Sequence, residues 1–137
     1  MFKITSIIIA EDDADDRLLI EDALNENSIA SSNLIFVRDG EELLQILQDN
    51  PQNPSIVILD LNMPKKDGRQ ALKEIKQNND LKHIPVIVFS TSSSADDIRS
   101  SYKNGVNTYF TKPSKYTELV AIIATVKDYW WDKAALV

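Results

Sequence analysis

Apolar positions along this chain follow two alternating rhythms. Short, nearly unbroken apolar runs occur at Ile4–Ala10, Leu34–Val37, Ile56–Leu59, Val86–Phe89 and Tyr109–Phe110. The first, third and fourth show no polar alternation. That pattern predicts strands covered on both faces, as in a parallel sheet. The fifth run is short and takes its strand assignment from its context. Between the runs, apolar residues recur at helical spacing. Leu18, Leu19, Ala23 and Leu24 give one stripe, Leu43, Leu44, Ile46 and Leu47 a second, and Ala71, Leu72 and Ile75 a third. Residues 95–103 carry only Ile98 and Tyr102 as anchors. The last stripe runs through Leu119, Ile122, Ile123, Val126 and Tyr129 or Trp130. Helix stops fall at Asn25–Asn27, Asn50-Pro51 and Asn104-Gly105.

Strand and helix thus alternate five times. Such alternation implies right-handed crossovers and a parallel sheet with helices on both faces. Pro51 and Pro54 bracket a turn, and Ser92–Ser94 reads as a loop. No internal repeat is visible. The 137 residues suit one domain, with no room left for an appended output domain.

Composition narrows the function classes. The chain is 43% hydrophobic and 26% charged, as ordinary globular proteins are. Its net charge of −6 argues against tracking nucleic-acid phosphates and against docking on anionic membranes. There is no cysteine, so disulfides, thiolate-bound zinc and thiol catalysis are excluded. The single histidine, His83, cannot build a multi-histidine metal site and reads as a surface residue. The first apolar run is too short for a signal peptide or a membrane span, which predicts a cytoplasmic protein.

In a parallel sheet the carboxyl ends of all strands share one edge, where ligands bind. Glu11, Asp12 and Asp13 follow the first run, and Asp60 follows the third. Ser90 and Thr91 end the fourth, and Lys112-Pro113 follow the fifth. The fold therefore gathers several carboxylates, a hydroxyl and an ammonium into one pocket. Clustered carboxylates repel, and a bound cation resolves that conflict. Hard oxygen ligands suit Mg²⁺, Ca²⁺ or Mn²⁺. A lysine and a hydroxyl opposite such an ion suit a phosphoryl group, and a carboxylate beside it suits an aspartyl phosphate. Asp60, on a central strand, is the candidate nucleophile. Taken singly, each residue has an ordinary role. Asp13, Asp15 and Asp16 suit the cap and dipole of the first helix. Asp60 alone serves equally well as an Asx-turn residue. Ser90 alone suits a loop, and Lys112-Pro113 a turn.

Four segments in this order resemble the response-regulator receiver domain of two-component signalling. They are Ile7-Ile8-Ile9-Ala10-Glu11-Asp12-Asp13, residues 57–68 around Leu59-Asp60-Leu61-Asn62-Met63-Pro64, Pro85-Val86-Ile87-Val88-Phe89-Ser90, and residues 105–113 ending in Thr111-Lys112-Pro113. The resemblance implies a single flavodoxin-like (βα)5 doubly wound domain with a five-stranded parallel sheet in the order 2-1-3-4-5. It implies Asp60 as phosphoacceptor and Mg²⁺ held by Glu11, Asp12, Asp60 and the backbone carbonyl of Asn62. It further implies Ser90 as the switch hydroxyl, Lys112 as counter-ion, Tyr109 as the aromatic switch, and a cis Lys112–Pro113 bond. Met63, Pro64 and Gly68 resemble the structural loop after the phosphoacceptor. Asn62 and Ser92 fall where the family tunes phosphoryl lifetime. Thr91 stands where the family usually has alanine or another small residue, which narrows access to Asp60. The implied partners are a sensor histidine kinase and a downstream or phosphotransfer protein. The implied signal is a change in the surface of the fourth helix, fifth strand and fifth helix.

Two other classes fit less well. A phosphatase with an aspartyl nucleophile needs an acid two residues later, where Asn62 stands. A flavin binder needs a phosphate-cradling glycine loop after the first strand, and that loop is acidic. The receiver core is expected over residues 1–128, with 129–137 as a helical extension. Tyr129-Trp130-Trp131 either pack back on the domain or offer an aromatic patch to a partner or a second copy. That ending resembles the small regulators paired with bacterial phytochrome kinases.

Overall fold

The computed structural model describes residues 4–136. Its strands are β1 (Ser6–Ala10), β2 (Leu34–Val37), β3 (Ser55–Leu59), β4 (Val86–Ser90) and β5 (Thr108–Thr111). Its α-helices are α1 (Ala14–Glu26), α2 (Gly40–Asp49), α3 (Gly68–Gln77), α4 (Ala95–Lys103) and α5 (Tyr116–Val126). The sheet is wholly parallel in the order β2-β1-β3-β4-β5, as the sequence predicts. The apolar runs become strands because their side chains are buried on both faces: every residue of β1, β3 and β4 is buried.

One core layer lies between the sheet and α2 and α3, around Leu43, Leu47, Leu72 and Ile75. The other lies beneath α1 and α5, around Ile20, Leu24, Leu119 and Ile123. Short polar side chains start the helices. Asp13, Asp39, Asp67 and Ser94 each accept a backbone N–H of the first turn of α1, α2, α3 and α4.

Three sequence assignments shift. In α1 the buried residues are Ile20, Ala23 and Leu24, whereas Leu18 is 57% and Leu19 43% exposed. The helix turns its Ile20 face to α5, which leaves the two leucines on the outer flank. In α4 the buried residue is Ser101, whose hydroxyl bonds the Asp97 carbonyl, and Tyr102 is 49% exposed. Tyr102 anchors through its polar tip instead: its hydroxyl accepts the Tyr109 N–H at 3.1 Å. At the C-terminus the α-helix does not simply lengthen. Residues Lys127–Lys133 widen into a π-helix, closed by the Ala134 N–H bonding the Tyr129 carbonyl. Trp130, Trp131 and Leu136 pack against the α1/α5 core layer, so the tryptophans turn back onto the domain. Among the described residues no helix is long and apolar enough to cross a membrane.

Candidate functional site

Sheet register assembles the site. The Asp60 N–H donates to the Ala10 carbonyl at 3.0 Å, which sets Asp60 beside Glu11 at the ends of β3 and β1. The Glu11 N–H donates to the Val37 carbonyl at 3.0 Å. The Lys112 N–H donates to the Ser90 carbonyl at 2.7 Å, so the lysine leaves β5 alongside the end of β4. Residues scattered over the whole chain thus meet at one sheet edge.

Carboxylate oxygens of Glu11, Asp12 and Asp60 lie within 4.8 Å of one another. Glu11 and Asp60 are buried, and Asp12 is exposed. Lys112 supplies the positive charge. Its ammonium lies 2.5 Å from Glu11 Oε1, 3.0 Å from Asp16 Oδ2 and 3.8 Å from Asp60 Oδ2. Burial pushes the Glu11 carboxyl up to about 7; Lys112 pulls against that rise and the neighbouring Asp60 adds to it. Burial alone would lower the Lys112 ammonium, but its bonds to Glu11 and Asp16 outweigh that and hold it above its usual value. The donors facing one another are all oxygens, with no sulfur or imidazole. One ammonium does not neutralise so many carboxylates. Both facts fit a hard divalent cation.

Ser90 is fully buried at the end of β4, and its Oγ accepts the Ser92 N–H at 3.1 Å. The Tyr109 hydroxyl donates to the Ser92 carbonyl at 2.8 Å. The Asn62 side chain is exposed, with Oδ1 accepting from Arg69 Nη1 at 3.3 Å. Gly68 sits against the site's backbone. A Cβ there would stand 2.1 Å from the Asp60 carbonyl oxygen, so only glycine lets α3 begin this close. Met63 is buried and Pro64 exposed. Thr91 is exposed and lines a cleft with Lys112 and Pro113. His83 is exposed, as expected.

Two expectations are corrected. The Lys112–Pro113 bond is trans, since the described residues contain no cis peptide bond. Trans is the lower-energy isomer, and Lys112 is already aimed by its N–H bond to Ser90 and its ion pairs with Glu11 and Asp16. Asp16 is more than a helix-dipole residue. Asp13 is the cap, accepting from the Asp15 and Asp16 N–H groups, while the Asp16 carboxylate turns inward to Lys112. The spacing carried a signal for this, because Asp16 lies on the first turn of the helix that follows the acidic loop. Arg69 and Asp97 were also missed. They pair across α3 and α4, a contact between helices that sequence spacing does not encode.

Comparison with known proteins agrees with this geometry. The family model described as response regulator receiver domain matches residues 7–124. Response regulator Rcp1 of Synechocystis sp. is 39% identical over 135 residues, covering 95% of this chain and 91% of the relative. The crystal structure of the phosphorylated cyanobacterial phytochrome response regulator RcpA superposes with a TM-score of 0.86 at 38% identity, covering 97% of this chain and 98% of that one. The Mn²⁺-bound form of Rcp1 superposes with a TM-score of 0.85 at 38% identity, covering 99% of each chain. From the family match and this breadth of similarity, the chain belongs to the response regulator receiver domain family.

Proposed function

We propose that this receiver takes a phosphoryl group on Asp60 from a phosphohistidine of a sensor histidine kinase and signals by protein contact. The carrying observation is the grouping of Glu11, Asp12 and Asp60 with Lys112 at the carboxyl edge of the sheet. An Asp60 carboxylate oxygen attacks phosphorus, the P–N bond breaks, and the imidazole leaves with its electron pair. Lys112 faces the growing negative charge, and Ser90 supplies a hydroxyl to a phosphoryl oxygen. Glu11, Asp12, Asp60 and the Asn62 carbonyl would hold Mg²⁺, which offsets the charge of the phosphoryl oxygens when bound. The phosphoryl group carries about −1.5 to −2 charges in place of the single carboxylate charge that it consumes. Lys112 then has a stronger partner than Glu11, and Ser90 and Tyr109 reset the α4–β5–α5 surface.

Residues 1–128 form the receiver unit in this reading, and 129–137 its extension. The similarity to phytochrome-linked regulators supports a phytochrome-type kinase as the donor. Intact mass after incubation with acetyl phosphate tests the chemistry. One added phosphoryl group, dependent on Mg²⁺ and absent in Asp60→Asn, is expected. An unmodified wild-type chain would overturn the reading.

A further inference from the structure

Ser92 joins the two groups that such a switch must move. Its N–H holds Ser90 Oγ at 3.1 Å, and its carbonyl accepts the Tyr109 hydroxyl at 2.8 Å. Its own hydroxyl donates to Asp97 Oδ2 at 2.7 Å and accepts the Ser94 N–H at 3.2 Å. Each polar group of Ser92 is therefore engaged, and the side chain depends on Asp97.

Asp97 is gripped in turn by Arg69. Nε lies 3.3 Å from Asp97 Oδ1, and Nη2 lies 3.2 Å from Oδ1 and 3.3 Å from Oδ2. This fork fixes the carboxylate's direction, as a single ammonium would not. Nη1 extends to Asn62 Oδ1, two residues beyond Asp60. The backbone beneath Arg69 is itself fixed, because Gly68 is pressed against the Asp60 carbonyl. The Ser92 hydroxyl bond holds the Asp97 carboxyl below its usual range; burial opposes this, and the charge and bonds of Arg69 add to the lowering. A continuous chain thus runs from Asn62 through Arg69, Asp97 and Ser92 to Ser90 and Tyr109.

We propose that Arg69 and Asp97 are positioning residues for the phosphoryl switch: their ion pair holds Ser92, and through it the Ser90 hydroxyl and the Tyr109 side chain, in the unphosphorylated arrangement. This rests on the reading of Asp60 as phosphoacceptor and Ser90 as its responding hydroxyl. For Ser90 to turn to a phosphoryl group, it must leave the Ser92 N–H. For Tyr109 to change rotamer, it must leave the Ser92 carbonyl. Whatever steadies Ser92 therefore favours the resting state, and whatever loosens it shifts the population toward the phosphoryl-ready one. The pair is partly solvated, so it biases the switch without locking it.

The test uses the full chain as Arg69→Gln, Asp97→Asn, the double variant and Arg69→Lys. Two quantities are read: the Ser92 amide resonance without phosphodonor, and the rate of phosphoryl uptake from acetyl phosphate with Mg²⁺. Each neutral single variant is expected to move the Ser92 resonance and to raise the uptake rate about three- to fivefold. The double variant should do no more than either single one, and Arg69→Lys should return part of the effect. Additive effects in the double variant, or uptake rates equal to wild type in both single variants, would overturn the latch. If wild type takes no phosphoryl group, the Asp60 reading fails instead. The Ser92 resonance then decides alone: a shift shared by both single variants keeps the Arg69–Asp97 hold on the loop, and an unmoved resonance removes it.

Discussion

Lys112 Nζ stands 2.5 Å from Glu11 Oε1 and 3.8 Å from Asp60 Oδ2, so one ammonium ties together the buried part of a carboxylate cluster. The Lys112 side chain is only 15% exposed and that of Glu11 only 2%. Removing the cation leaves charges that water cannot reach. Lys112→Met is expected to lower metal-free stability by about 3 kcal/mol, the usual loss when one half of a buried pair is deleted. Asp60→Asn should act in the opposite direction, raising stability by about 1 kcal/mol through relief of repulsion. Urea denaturation without divalent ions measures both. Equal signs for the two variants would refute this electrostatic account.

Gly68 offers a steric prediction at the same site. The atoms a Cβ would meet are backbone, the Asp60 carbonyl at 2.1 Å and Leu61 Cα at 2.7 Å, and neither can swing aside. Gly68→Ala should cost about 2–3 kcal/mol and displace Asp60 enough to suppress its phosphorylation. Gly105→Ala is the control. It meets only the flexible Lys76 side chain at 3.1 Å, and its φ of +95° costs about 1 kcal/mol, far from the carboxylates. Thermal melts and intact-mass assays on both variants separate the two effects. Normal phosphorylation of Gly68→Ala would refute the close-approach argument.

The strands and the strand-end residues were legible because each depends on a local pattern and one topological rule. Ile56–Leu59 is apolar throughout, and Asp60 must then sit where the strand ends. What was not legible depends on how helices rotate against one another. Leu18 and Leu19 look like core and lie outside, because α1 turns its Ile20 face to α5. Asp16 looks like a dipole residue and meets a lysine nearly a hundred positions away. The Arg69–Asp97 pair joins two helices whose mutual placement no periodicity records. Core residues in loops, such as Ile29, Leu61 and Leu81, also escaped a reading built on runs and stripes.

Lys76 gives the chain a pH dependence away from the candidate site. Its ammonium donates to the Lys82 carbonyl at 3.1 Å, the Ile84 carbonyl at 2.7 Å and Asn107 Oδ1 at 3.0 Å. Burial lowers it from 10.5 to about 8. Between those values the unfolded chain binds the proton more tightly than the native one. Stability contributed by this group therefore rises as pH goes from about 8 towards 10.5, and is flat below that window where both states are charged. Lys76→Met lacks the titration, so the stability difference between wild type and variant should grow in favour of wild type across the window. Denaturation at pH 7, 8, 9 and 10 checks it. A difference that stays constant would mean that the three acceptors keep the ammonium fully charged.

The C-terminal aromatics divide sharply by burial, and that division predicts different losses. Trp130 and Trp131 pack on the α1/α5 core layer, whereas Tyr129 is 59% exposed and touches Trp130 edge-on at 4.8 Å. Ion pairs five residues apart, Lys127–Asp132 and Asp128–Lys133, match the wider spacing of the π-helical turn that carries the tryptophans. Trp131→Ala removes partly buried apolar area and should cost about 2–3 kcal/mol. Tyr129→Ala removes mostly solvated area and should cost less than about 0.5 kcal/mol. Chemical denaturation of the two variants gives the comparison, and size-exclusion chromatography of the same samples reads self-association. A small loss at Trp131 would mean that the tail is not held by the domain. A large loss at Tyr129 accompanied by a change in elution would mean that its exposed ring is covered by a second copy in solution.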